Sequence, residues 1–336
     1  MRVGFNPHKD VCVEDSTYFH QVIIPVFIPN QKDYFRDSFE ILKICLKSLF
    51  ETIHKRTFIT IVNNGSCNEI RDYLTELYEN SKINEIIHTE NIGKLNAILK
   101  GIVGNNIELV TIADSDVLFL EGWQDETAKI FKSVDKAGVV GLTPQFKMYE
   151  SYCGNIIFDN LFNSNLKFLP VKNSEALIKF YDSLGWKRDY NSDYLRYALG
   201  LIINSDLNVL IGSGHFVATY KKDIFNEIKS FIGFKMGGDS ETYLDKLLLH
   251  KNYWRLTTYD NYAYHMGNTV EDWMSKINVL KSDAEILHSN FSKSEKQSKL
   301  VYFIKNRLFV KFLSFKWILK MFLRYKDLPH PMIKNY

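Results

Sequence analysis

The sequence predicts an α/β fold, with a mostly parallel central sheet flanked by helices and a ligand crevice at the carboxyl ends of its strands. Three observations carry this. Continuous apolar runs at residues 21–29, 58–66 and 109–113 read as strands buried on both faces, as in parallel sheets. Stretches with a helical apolar rhythm lie between them, and such alternation builds right-handed crossovers. The run at 109–113 then ends in two carboxylates, Asp114 and Asp116, with only Ser115 between them, before apolar residues resume at Val117.

That pair is the chemical focus. Two bare carboxylates at a strand end repel each other and lose hydration, so a cation between them and their ligand relieves both costs. A hard divalent ion fits, because Mg²⁺ or Mn²⁺ takes one or two carboxylates and completes its shell with phosphate oxygens and water. Taken alone, an Asp-x-Asp is also compatible with a strand ending in a polar turn, with Asp114 as a cap.

In chain order, residues 21–29 form the first strand, which Pro25 and Pro29 end. From Asp37 to His54, Phe39, Leu42, Ile44, Leu46, Leu49, Phe50 and Ile53 give a helical rhythm, with Lys and Glu on the other side. The strand at 58–66 leads through Gly65 into a helix over 68–80, one βα unit. A short strand over 85–89 precedes a helix that opens near Lys94 and runs to about Gly101. Residues 138–143 read as a further strand. The stretch 145–208 is aromatic and polar without clean periodicity, so it reads as packed loops or as an acceptor-recognising insertion.

At 336 residues the chain is long enough for one large domain or a domain with an appendage. A net charge of +3 is too mild to argue for nucleic acid. Cys12, Cys45, Cys67 and Cys153 are scattered, which suggests neither a zinc site nor a disulfide framework. With no apolar signal stretch at the N-terminus, the expected location is cytoplasmic.

Val22-Ile-Ile-Pro-Val, Ile61-Val-Asn-Asn-Gly-Ser, Glu90-Asn-Ile-Gly-Lys and Ala113-Asp-Ser-Asp, in this order and spacing, resemble the nucleotide-sugar half of family 2 glycosyltransferases of the GT-A fold. The resemblance covers about residues 20–270. It implies a GT-A domain over 1–275, with a Rossmann-like nucleotide-sugar half at about 20–145 and an acceptor and catalytic half at 146–275, followed by a helical extension over 276–336. It implies an inverting, metal-dependent sugar transfer from a nucleoside diphosphate to a hydroxyl of a glycan or lipid-linked acceptor, in polysaccharide or glycan biosynthesis.

For the donor, the resemblance implies backbone groups near Pro25 and Val26, the side chains of Asn63 and Asn64, Lys94 toward the diphosphate, and Asp114, Ser115 and Asp116. Asn63 departs from the family, whose members often have an acidic residue there, so the donor base stays open. Gly214 and His215 are placed under the sugar, where small residues allow close backbone approach. Gly-Gly-Asp-Ser-Glu at 237–241 resembles the block whose aspartate deprotonates the acceptor, which makes Asp239 the base and Glu241 its substitute. Gly238 stands where relatives place an acid. His265 is placed with Asp116 on Mn²⁺ or Mg²⁺.

Other readings are a sugar-1-phosphate nucleotidyltransferase, an aspartyl phosphatase and a non-catalytic carbohydrate- or nucleic-acid-binding module. The first normally has a Gly- and basic-rich loop after its first strand, where this chain has Pro25-Val-Phe-Ile-Pro29. The second places its Asp-x-Asp on the first strand. No nucleic-acid partner is expected.

Between Lys299 and Lys326 the chain has eight Lys and Arg residues and no acid. Ile304, Leu308, Phe312, Phe315, Leu319 and Phe322 step by three or four, while Lys316, Lys320 and Arg324 line another face. This pattern predicts a helix lying on an anionic membrane surface, with the protein peripheral on the inner face of the cell membrane; it also suits a terminal helix docked on the protein's own core or a dimer contact.

Overall fold

The computed structural model describes residues 3–12, 16–228, 231–235, 240–276, 291, 296–334 and 336. Twelve strands and eleven α-helices are described along the chain. The first half runs β1 (His20–Val26), α1 (Ser38–Thr52), β2 (Thr57–Asn64), α2 (Asn68–Glu79), β3 (Glu85–Thr89), α3 (Lys94–Ile102), β4 (Leu109–Ala113), β5 (Val117–Phe119), α4 (Trp123–Ser133) and β6 (Ala137–Gly141). The second half runs α5 (Gly154–Asp159), β7 (Leu166–Pro170), α6 (Ser174–Ser183), β8 (Tyr197–Asn204), β9 (Leu207–Ile211), β10 (Val217–Lys221), α7 (Ser240–His250), β11 (Trp254–Thr258), β12 (Ala263–His265) and α8 (Asp272–Lys276). The tail adds α9 (Lys299–Phe303), α10 (Phe309–Leu313) and α11 (Lys316–Tyr325).

Ten strands form one sheet in the order β3-β2-β1-β4-β10-β6-β11-β9-β8-β7. The first four pair in parallel, as the buried apolar runs require, with Val22 in register with Ile59 and Thr111. From β10 onward the pairing is antiparallel except between β6 and β11. The stretch at 145–208 therefore supplies strands to the sheet edge rather than only loops. Its period was hidden because β8 bulges between Ile202 and Asn204 and its strands carry aromatic and polar residues. The first two strands also stop short of their apolar runs, at Val26 and Asn64, where the chain turns to hydrogen-bond across the crevice.

The tail is helical, but it is not one straight amphipathic rod. A π-helical turn over Ile304–Leu308 and a break at Ser314 and Phe315 rotate its faces. Phe322, on the expected lipid face, is buried with Leu323, Leu328 and Met332 in a core shared with β7, β8 and β9, and Leu319 packs against it. The Phe168 amide of β7 donates to the Lys326 carbonyl at 2.7 Å. The end of the tail thus completes the protein's own core.

Candidate active site

The site forms where β4 stops. Ala113 is the last ladder residue of β4, opposite Val217 of β10, and the Asp114 amide donates to the Phe216 carbonyl at 2.8 Å. The Asp-Ser-Asp turn is therefore held against the segment from Gly214 to Phe216. Beyond the turn, β5 pairs with β12 in a two-stranded ribbon that sets Val117 opposite His265. The Met266 amide donates to the Asp116 carbonyl at 2.8 Å. This register brings His265, nearly 150 residues away in sequence, beside Asp116.

His265 Nε2 lies 3.4 Å from Asp116 Oδ2. On the far side of the ring, His265 Nδ1 lies 2.9 Å from Ser183 Oγ, and that hydroxyl stands 2.6 Å from the Phe180 carbonyl. A carbonyl only accepts, so the Ser183 proton is committed to Phe180 and Nδ1–H must donate to Ser183. In the tautomer that carries its proton on Nδ1, His265 turns a lone pair on Nε2 toward the carboxylate. Two acceptors face each other across a gap that needs a proton or a metal cation. Phe180 and Phe216 pack edge-on to the imidazole and fix its plane.

The electrostatics agree. Burial pushes the Asp116 carboxyl up to about 6, with the nearby Asp114 charge adding to the rise while His265 and Lys94 oppose it. Asp116 Oδ1 is buried with no hydrogen-bond partner. Ligands of an octahedral Mg²⁺ or Mn²⁺ at about 2.1 Å stand roughly 3 Å apart when adjacent, close to the 3.4 Å seen here. The residues fit such an ion, and Ser183 orients the imidazole as outer-shell groups do. Among the described residues no set of three His, Cys, Asp or Glu side chains gathers around one point, so an ion's other positions would fall to donor and water.

Asp114 pairs with Lys94 at 2.6 Å. Lys94 is the first residue of α3, and Gly93 before it has φ +89°. A side chain at Gly93 would sit 2.7 Å from the Phe234 carbonyl and 2.8 Å from Lys235 Cα, so glycine is required for that approach. The Lys94 amide donates to the Lys235 carbonyl at 2.9 Å, and Asn96 exchanges two hydrogen bonds with Ile232. Residues 231–235 are therefore stitched to the helix that carries Lys94. Gly238 and Asp239 lie outside the described residues, and of Glu241 only the helix on which it sits is described. Both flanks of that block nevertheless converge here, since Thr242 lines the same cleft as Asp114 and His265.

The cleft has a volume of about 550 Å³ and is walled by Gln145, Phe146, Ser151, Tyr152, Gly214 and His215, among others. His215 Nε2 is 3.2 Å from Asp245, whose other oxygen is 3.0 Å from Arg255. Arg255 also donates to the Ser151 and Ser213 carbonyls, so a buried pair beneath the cleft ties three of its segments together. Sequence reading singled out neither Asp245 nor Arg255 for this role. An acid on a helix and a base in an apolar strand carry no spacing that links them.

The other donor-side residues hold the loops that border the first two strands. The Asn63 amide is 3.0 Å from His88 Nδ1, and its oxygen accepts from the Ser66 amide. Asn64 accepts from the Ile92 amide at 3.0 Å. Both side chains are buried and, through these hydrogen bonds, shape the loops beside Pro25 and Val26. Ser115 is half-buried at the turn between the two aspartates.

The model of glycosyl transferase family 2 matches residues 22–193, just over half of the chain. The chain belongs to that family. Its sheet and crevice are those expected of a GT-A glycosyltransferase. Similar solved structures include S. aureus TarS 1–349, at 12% identity and TM-score 0.43, covering 74% of this chain and 60% of that one. TarS 1–349 in complex with UDP-GlcNAc matches at 12% identity and TM-score 0.43, covering 91% and 72%. The mannosyltransferase PcManGT from Pyrobaculum calidifontis, in complex with GDP-Man and Mn²⁺, matches at 14% identity and TM-score 0.41, covering 74% and 56%. The family 2 chain thus spans about 60% of the length of the first of these. No curated protein matches it.

Proposed function

We propose that this family 2 chain is a metal-dependent, inverting glycosyltransferase that moves a sugar from a nucleoside diphosphate to a hydroxyl of a glycan or lipid-linked acceptor. It would serve polysaccharide or glycan biosynthesis on the inner face of the cell membrane. One observation carries the reading. Asp116 and His265 face each other as two acceptors, the arrangement a divalent cation on a diphosphate would fill.

Mn²⁺ or Mg²⁺, when bound there, neutralises charge growing on the departing diphosphate. The chain's own residues do the rest. Lys94 leaves its pairing with Asp114 to meet the diphosphate, which frees the Asp114 carboxylate to accept from a ribose or sugar hydroxyl. Gly214 and His215 border the sugar on the opposite wall. Asp239, with Glu241 as substitute, takes the proton of the acceptor hydroxyl as its oxygen bonds the anomeric carbon from the face opposite the leaving phosphate. Gly238 is assigned to the acceptor or sugar side of the site.

A thermal-shift panel of UDP-, GDP-, CMP- and dTDP-sugars, each with and without Mn²⁺, tests the reading. A ligand specific to the native state raises its melting point. One donor class should do so only when metal is present, and Asp116→Ala should abolish the effect. Donor shifts indifferent to metal and to this substitution would refute the metal role.

A further inference from the structure

We propose that the outward face of α11 is the surface by which this protein docks on an anionic lipid bilayer. The inference deepens the membrane association put forward above and does not depend on the sugar chemistry. It also shifts the contact around α11 from the face that periodicity selects, because Leu319 and Phe322 are used internally while Phe312 and Phe315 stay exposed.

Steps of 100° along α11 divide its surface into three strips. Ile318, Phe322 and Leu323 fill the inner strip and are buried. Lys316, Lys320 and Arg324 form a basic strip exposed to solvent. Beside it Trp317, Met321 and Tyr325 form an apolar strip, 63%, 62% and 55% exposed. Phe312 and Phe315 continue that exposed apolar surface across the break before the helix. Folding does not require the outer strips, since the inner one already anchors the helix. A run of exposed aromatics of this length is rare on a monomer without a partner.

Charge chooses the partner. Residues 299–326 contain no Asp or Glu. Two of the eight bases there are used internally, Lys305 on Asp159 and Lys326 on the Asn160 and Asn163 carbonyls, while Lys299, Arg307, Lys311, Lys316, Lys320 and Arg324 stay exposed. A second copy of the chain would meet this strip with its own basic strip, at a repulsive cost. Headgroup phosphates meet it with opposite charge, and Trp and Tyr settle at headgroup depth. The location is also apt. Gly154 at the start of α5 lets Val310 and the Lys305 carbonyl approach to 2.5 and 2.6 Å of where a Cβ would stand. Ser151 and Tyr152 of the cleft wall are within three residues of it, at most about 11 Å of chain. The tail segment just before α11 therefore packs within a few residues of the cleft wall.

The test is co-sedimentation of the full chain with phosphatidylcholine vesicles, with and without phosphatidylglycerol. Binding is expected only to the mixed vesicles. With each basic residue near the surface contributing a factor of about 5, K316Q/K320Q/R324Q should weaken binding about 10²-fold. W317S/M321S should weaken it at least about tenfold through lost apolar insertion. Both sets lie on the exposed strips, so melting points should hold, and a lowered one would place these strips in the fold and overturn the proposal. Equal binding to neutral and mixed vesicles, binding indifferent to both variants, or a dimer in light scattering that the variants dissociate would also overturn it. The donor-induced thermal shift is read separately, so either proposal can fail alone.

Discussion

Replacing Asp116 by asparagine should stabilise the metal-free protein while disabling it. Burial holds the Asp116 carboxyl at about 6 against an ordinary 3.8, so at neutral pH the fold contains a carboxylate it disfavours. At about 1.4 kcal/mol per pH unit, the shift corresponds to an upper limit of about 3 kcal/mol. The side chain is 27% exposed, and solvent there trims the figure to about 1–3 kcal/mol. Asn has the same shape, lacks the charge, and offers an N–H to the His265 lone pair. With an unfolding entropy of roughly 2 cal/mol/K per residue over 336 residues, the melting point should rise by about 1–4 °C at pH 7.5.

The sign of the pH dependence follows from the raised value. Below the unfolded pKa both states hold the proton and there is no penalty. Between about 4 and about 6 the folded state keeps its proton longer, so wild-type stability falls as pH rises through that window, and the full penalty is present above it. His54, lowered to about 4 by burial and the Arg56 charge, acts oppositely, since its neutral form stabilises the fold above the unfolded value and that contribution is lost as pH falls. His20 is shifted the same way by burial. The quantity to measure is therefore the difference between wild type and Asp116→Asn in calorimetry at several pH values, which cancels the histidines. It should be largest above pH 7 and vanish near pH 4. A variant no more stable at pH 7.5, or equally favoured at pH 4, would refute the reasoning. With Mn²⁺ and donor at about a hundredfold over Kd, the wild type should gain about 2.7 kcal/mol and the variant nothing, which offsets most or all of the variant's lead.

Three further outcomes are expected. Asp239→Asn should lower turnover about 10²- to 10⁴-fold with donor-induced melting shifts preserved, and unchanged turnover would remove Asp239 as base. Ser183→Ala frees His265 Nδ1 and should weaken Mn²⁺ binding about 10- to 100-fold in titration calorimetry, with little effect on metal-free stability. Gly93→Ala forces a side chain into the Phe234 and Lys235 backbone at a positive φ, so it should cost about 1–3 kcal/mol in chemical denaturation and also reduce turnover, because residues 231–235 lead to the Asp239 block.

The sequence by itself determined the parallel half of the sheet, because strands buried on both faces must be apolar throughout and helices between them must show a 3.6-residue stripe. It also marked Asp114, Asp116, His265 and the turn-forming glycines, since each stands at the end of an apolar run where a side chain has no packing reason to be polar or absent. Only the tertiary structure decided what those groups face. The β5–β12 register supplies the geometry of the Asp116–His265 pair that the family resemblance implies, Ser183 of α6 fixes the imidazole tautomer, and Asp245 meets Arg255 beneath the cleft. It likewise decided that Phe322 turns inward and Trp317 outward, because a π-turn and a break rotate the tail by amounts that an ideal helical period does not carry. Periodicity reports how a segment packs on average. Long-range register and local helical irregularity are set by contacts distant in the chain, and these leave no mark in any single segment.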